Sequence, residues 1–340
     1  MGKTMELELE KMVEDGWKGP WKSVYLGGGT PSLLKEEVLT SLFETIYRCS
    51  GIANDAEISL EANPEDIFPE RLKHWQSLGI NRLSLGVQSF ADDDLKWMNR
   101  HHSADQAVQA VHAIREAGFQ NFSIDLIYGL PESAHWTSNL EKALSLNPPH
   151  LSAYALTVEE RTVLGNRVRK GQQHLLPDET VEAQYQALCS MANTAGMEHY
   201  EISNFARKGS RAQHNAAYWK GEPYLGLGPS AHSFNGIERW WNVANNQQYK
   251  QLLNRGMVWY ERETLSDTDR WNELLMTALR CVEGFNETEL RGLLPKGAFF
   301  PERELAQLAR KGWLIENQGQ WQIPEIHWLL ADHITASLML

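Results

Sequence analysis

Several polar residues of this chain stand where an apolar strand would be expected to end, and their types suit one small ligand. Gly27-Gly28-Gly29-Thr30 follows the β-rich run Ser23–Leu26, and three glycines let backbone amides approach a ligand closely. Alone, the run reads as a tight strand-to-helix turn. No Lys-Ser/Thr pair follows, so it is not a P-loop, and the spacing is not G-x-G-x-x-G. Glu61 (in EANP), Gln88 (in GVQSF) and Asp125 (in SIDLIYGLP) each lie within or at the end of an apolar run. An unpaired charge there is expensive, which makes Glu61 and Asp125 the hardest to explain as caps. Arg100, in WMNRHH, can reach the same rim. Backbone carbonyls or a carboxylate for an ammonium, Arg for a carboxylate and acids for ribose hydroxyls would together hold an amino-acid head, a ribose and a base.

The elements that must position these groups alternate. Strand runs 23–26, 57–60, 82–87, 122–127 and 151–156 are separated by helical stretches. One spans about 35–47, with Val38, Leu39, Leu42, Phe43 and Ile46 on one face. Another holds Ala107, Val108, Val111 and Ile114 and ends at Gly118. Such a βαβα series implies a parallel sheet, and ligands bind at the carboxyl ends of its strands. A joint is expected at 160–180, then a helix with the stripe Val181, Tyr185, Leu188 and Ala192. Caps at Ser266 and Asn286, a Leu- and Ala-rich helix and a hairpin around Asn317-Gln318-Gly319 give a winged-helix-like end. We therefore expect three parts: a (β/α) barrel over 1–175, an extension over 176–262 and a helical winged-helix-like domain over 263–340.

Composition narrows the function. In 340 residues there are 44 acids and 32 bases, a formal charge of −12, which argues against a nucleic acid as main partner and against a polybasic membrane anchor. The winged-helix-like end has mixed charge, so DNA binding is not expected there either. No apolar run approaches the roughly 18 residues of a membrane helix, and the acidic start is not a signal peptide. A soluble cytoplasmic protein is the expectation. Cys49, Cys189 and Cys281 are far apart, so neither a disulfide framework nor a Cys-rich metal site is written here; each reads as a small buried hydrophobe. His101, His102, His112 and His232 have no metal-ligand spacing.

The ordered series GGGTPS, EANP, GVQSF, IDLIYGLP and LSAYALT resembles radical S-adenosylmethionine (SAM) proteins of the coproporphyrinogen-oxidase-like group. The later HYEISNFA, QHNAAYW and YLGLGPSAHSF resemble its HemW branch of haem chaperones, and the resemblance covers nearly the whole chain. It implies an incomplete parallel (β/α) barrel of radical-SAM type with a C-terminal helical domain. It places Gly28, Gly29, Thr30, Glu61, Gln88, Arg100 and Asp125 against SAM. His214, in what reads as a polar loop, becomes an axial ligand to haem iron, with Arg207, Lys208 and Arg211 for propionates and Tyr218 and Trp219 for the porphyrin face. One departure matters. The family carries an early strand with C-x-x-x-C-x-x-C, which binds a [4Fe–4S] cluster, and this chain starts after it. We expect a fragment rather than a shortened paralogue, because the edge of Ser23–Leu26 would otherwise lack a neighbour, and we expect no radical chemistry from these residues alone. Haem binding with delivery to acceptor proteins is the first expectation. The alternatives are an oxygen-independent coproporphyrinogen III oxidase of porphyrin biosynthesis and, without the family, a barrel enzyme using Glu61 and Asp125 as acid and base.

Overall fold

The computed structural model describes residues 1–131 and 133–340. The first half runs α1 (Gly2–Glu14), β1 (Trp21–Leu26), α2 (Glu36–Cys49), β2 (Ile52–Ala62), α3 (Pro69–Ser77), β3 (Arg82–Gln88), α4 (Asp92–Trp97), α5 (Ala104–Glu116), β4 (Asn121–Tyr128), α6 (Trp136–Ser145) and β5 (His150–Ala155). Next come α7 (Val163–Arg169), α8 (Asp178–Thr194), β6 (Glu198–Glu201), β7 (Asn204–Ala206), α9 (Gln213–Trp219), β8 (His232–Phe234), β9 (Glu238–Asn242), α10 (Asn246–Asn254) and β10 (Tyr260–Thr264). The chain continues with α11 (Asp267–Ala278), β11 (Phe285–Asn286), α12 (Glu287–Gly292), α13 (Glu302–Arg310), β12 (Ile315–Asn317), β13 (Gln320–Gln322) and α14 (Ala331–Ala336).

The main sheet has seven strands in the order β1-β2-β3-β4-β5-β7-β6, with β2 to β5 parallel and β7 and β6 antiparallel at one edge. This is the α/β, parallel-dominated open half-barrel expected from the alternating runs. Its register explains the sequence pattern. Leu60, Leu83 and Phe122 are neighbours across three strands, as are Leu85 and Ile124, and all are buried beneath the helices. Glu61, Ser84 and Ser123 are neighbours on the opposite face, followed by the pair Asp125 and Ser152. A period of two thus sorts an apolar face, covered by helices such as α3, α5 and α6, from a polar face. Helix α5 starts where its capping box predicts, with Ser103 and Gln106 bonding each other's backbone amides.

The chain forms two compact units, one of residues 25–33 and 58–211 and the other of residues 1–24, 34–57 and 212–340. In the second, Leu9 of α1 packs with Leu42 and Ile46 of α2, and Met12 packs with Trp240, Tyr249, Leu253 and Trp259. Between these clusters lies Glu8, 1% exposed. It accepts bonds from the Gly228 amide (2.8 Å), Asn242 Nδ2 (2.6 Å), Trp259 Nε1 (2.9 Å) and the Tyr249 hydroxyl. The C-terminal residues pair β11-β13-β12 antiparallel beside α11, α12 and α13, a winged-helix order. Ser266 and Asn286 cap α11 and α12 as expected.

Three expectations need correction. The 160–180 joint contains α7, started by a bond from the Gly165 amide to Thr162 Oγ1. His214 is not in a loop: α9 carries residues 213–219. Cys281 is buried, but Cys49 and Cys189 are only half-buried, because each lies beside rather than within its helix's apolar stripe.

Candidate functional site

The polar face of the sheet is built by strand parity. Tyr25, one residue from the end of β1, donates its hydroxyl to Glu61 Oε1 at 2.6 Å, and the Gly28 amide donates to Glu61 Oε2 at 3.1 Å. That closure requires the glycines. Gly28 and Gly29 have φ of 75° and 67°, and a Cβ on Gly27 would strike the Tyr25 ring and the Glu61 carboxylate. After Thr30 the chain makes a short turn, Leu33 N–H to Thr30 O at 3.1 Å. Ser32 then donates to Asp66 at 2.7 Å, and Arg71 donates to the same carboxylate at 3.1 Å. The loops after β1 and β2 are thereby tied together.

Asp125 accepts from Ser84 at 2.6 Å and from Ser123 at 2.7 Å. Burial pushes its carboxyl above the ordinary range, while the hydroxyls of Ser84, Ser123 and Ser152 and the Arg82 cation pull the other way. Burial also raises the phenols of Tyr25 and Tyr154. Glu61 and Asp125 act on both in the same direction, which places the four side chains in one electrostatic neighbourhood. Both phenols are therefore neutral donors at neutral pH. Gln88 ends β3 with φ of 67°, and a Cβ on Gly86 would lie 2.8 Å from its Nε2, so its amide folds back over Gly86. His102, buried, bridges Glu65 and the Val87 carbonyl at 3.0 Å each and fixes this strained end.

Gly28, Glu61 and Asp125 thus share one neighbourhood with Tyr25 and Tyr154. Arg100 follows α4, half-buried, and among the described residues its guanidinium makes no hydrogen bond or ion pair. Tyr25, Ser84, Ser123, Ser152 and Tyr154 were missed. Their signal was present in the alternation Leu-Ser-Leu-Gly in β3, Phe-Ser-Ile-Asp in β4 and Leu-Ser-Ala-Tyr in β5, where every second residue is small or polar.

His214 lies in the first turn of α9. Glu57, 4% exposed, receives the Gln213 amide at 2.9 Å and the His214 amide at 3.1 Å, so one carboxylate satisfies two of the helix's unpaired donors. The His214 Nδ1 is 2.9 Å from Ser23 Oγ, and its ring meets Tyr218 edge-on at 5.0 Å. Burial lowers its pKa, against the pull of Glu57, so the imidazole is neutral at neutral pH. The cations expected nearby have other work. Arg211 pairs with Glu198 at 2.6 Å and lies over Tyr200, and Arg207 bonds the Pro148 and Ala195 carbonyls.

Residues 4–140 match the model of the radical SAM superfamily. A Bacillus subtilis (strain 168) protein named heme chaperone HemW is 34% identical over 334 residues, covering 92% of this chain and 88% of the relative. The chain belongs to the HemW family of radical SAM proteins. Heme chaperone HemW of Escherichia coli (strain K12) is 32% identical, over 89% of this chain and 80% of that one. The structure of the E. coli coproporphyrinogen III oxidase HemN, a radical SAM enzyme, superposes with a TM-score of 0.83 at 23% identity, covering 99% of this chain and 82% of that one, which shows the fold. Membership of the HemW family implies SAM and a [4Fe–4S] cluster held by thiolates. Cys49 ends α2, Cys189 lies 3.8 Å from His199 Nδ1, and Cys281 donates to the Thr277 carbonyl at 3.6 Å. Among the described residues no three thiols converge, so the residues present do not fit that cluster. No described helix of this HemW-family chain is long and apolar enough to cross a membrane.

Proposed function

We propose that this chain binds haem and hands it to acceptor proteins, as the names of its HemW relatives say of them, and that it works in the cytoplasm. The observation that carries the reading is the setting of His214. Its imidazole is neutral and oriented by Ser23 at Nδ1, and its helix is tied down by Glu57. Exposed Tyr218 offers an aromatic surface beside it.

We further propose that the polar face of the sheet holds SAM. Glu61 with the Gly28, Gly29 and Thr30 backbone would take the ammonium. Asp125 would take ribose hydroxyls, Gln88 would bond the nucleoside, and Arg100, whose guanidinium has no ion-pair partner among the described residues, would take the carboxylate. The neutral Tyr25 and Tyr154 fit beside a sulfonium cation. SAM supplies a charged sulfonium nucleoside there; these residues bind and orient it.

Haem titration followed in the Soret region tests the first proposal. The band of the parent is expected to shift and saturate, and that of His214→Ala is not. Identical spectra for the two proteins reject His214 as the ligand.

A further inference from the structure

The ring beside His214 begins a series. Tyr218 and Tyr224 stand 4.4 Å apart, centroid to centroid, and Tyr224 and Phe234 stand 6.2 Å apart. The latter two are locked by reciprocal backbone hydrogen bonds of 2.9 Å. Opposite Phe234 in the β8–β9 register is Arg239. Its guanidinium lies 5.9 Å over the Phe234 ring and pairs with Glu273 at 2.7 Å. The Arg239 and Glu273 side chains are about one-third exposed (30% and 28%). The series therefore runs from an imidazole, over two phenol rings and Phe234, to a guanidinium. Burial pushes the Tyr218 phenol up to about 12, so it presents a neutral ring rather than a phenolate.

That order of groups matches a flat apolar disc with a metal at its centre and carboxylates on one edge. Arg carries five donors in a fork, so it can keep Glu273 on one side and take a second carboxylate on another. We propose that Arg239 receives a propionate of the porphyrin whose iron His214 ligates, with Tyr218 and Tyr224 lying against the ring. The inference rests on the haem reading of His214, and it adds the residue that recognises the carboxylate edge of the porphyrin.

Two ligands separate the two ideas: ferric protoporphyrin IX and its dimethyl ester, titrated into the full chain in one detergent-containing buffer and followed by the Soret band. Arg239→Gln is expected to weaken haem binding about tenfold to hundredfold, the worth of a charge-assisted bond, and to leave the ester unaffected. Glu273→Gln, which removes a competing acceptor, is expected to strengthen haem binding and again spare the ester. Equal effects of Arg239→Gln on both ligands, or no effect on haem, overturn the proposal. Should that variant not fold, an unchanged haem-to-ester ratio in Glu273→Gln overturns it instead. His214→Ala must lose both ligands; if it binds both as the parent does, the haem reading itself is what fails.

Discussion

Replacing Glu61 by Gln removes a charge without removing the loop it organises. In the parent, one oxygen accepts from Tyr25 at 2.6 Å and the other from the Gly28 amide at 3.1 Å. A glutamine keeps its carbonyl on the amide and turns its NH2 to Tyr25, whose hydroxyl accepts as readily as it donates. What goes is the negative charge offered to an ammonium. A hydrogen bond to a charged group is worth about 1.5–3 kcal/mol net. Glu61 is only half-buried, so solvent screening sets the loss near the lower limit. Glu61→Gln should therefore weaken SAM binding roughly tenfold. Glu61→Ala should weaken it more, by about a further 1 kcal/mol, because the Gly28 amide and the Tyr25 hydroxyl also lose their acceptor. Isothermal calorimetry of SAM against the parent and both variants reads the difference. If both variants bind as the parent does, the ends of β1 and β2 do not share a ligand and the assignment of the strand ends to SAM falls.

Ser23→Ala should lower haem affinity about tenfold while sparing the fold, since it removes the partner that orients the His214 ring; an unchanged haem titration would contradict that orienting role. The His214 pKa is lowered in the fold, so its ligating form should persist as pH drops through 6.5, with haem affinity declining only at lower pH. A binding midpoint at or above 6.5 in a pH series contradicts this. Glu8→Ala should cost at least about 3 kcal/mol in urea unfolding, because four buried donors lose their acceptor at about 1–3 kcal/mol each, partly offset by the charge no longer buried. The carboxyl of Glu8 is raised above its unfolded value by burial, so its own contribution to stability is fullest at acid pH and is lost as pH rises from about 4.5 through the folded value. A Glu8→Gln protein in which that slope is unchanged would show that another group causes it.

How far the fold and the two candidate sites were legible follows from how locally each is encoded. Strands β1 to β5 and helix α5 could be placed because period-two and 3.6-residue patterns and a capping box are read within a dozen residues. Glu61 and Asp125 stood out because a charge in an apolar strand is conspicuous; their partners Ser84, Ser123 and Ser152 did not, because serine in a strand is common and only the parallel register sets them side by side. Around His214 the encoding is almost wholly non-local. Ser23 lies 191 residues away and Glu57 157, so a helix held by Glu57 through two backbone amides looks, from its own polar sequence, like a loop. The same non-locality misled about charge. Arg207 and Arg211 read as free cations because Pro148, Ala195 and Glu198, which engage them, lie 59, 12 and 13 residues upstream, while Arg239, paired with Glu273 beside the aromatic series, carried no local signal at all. A cation's availability is a property of its neighbours across the chain. That is why the ester comparison at Arg239, rather than any count of basic residues near His214, decides whether this surface recognises carboxylates.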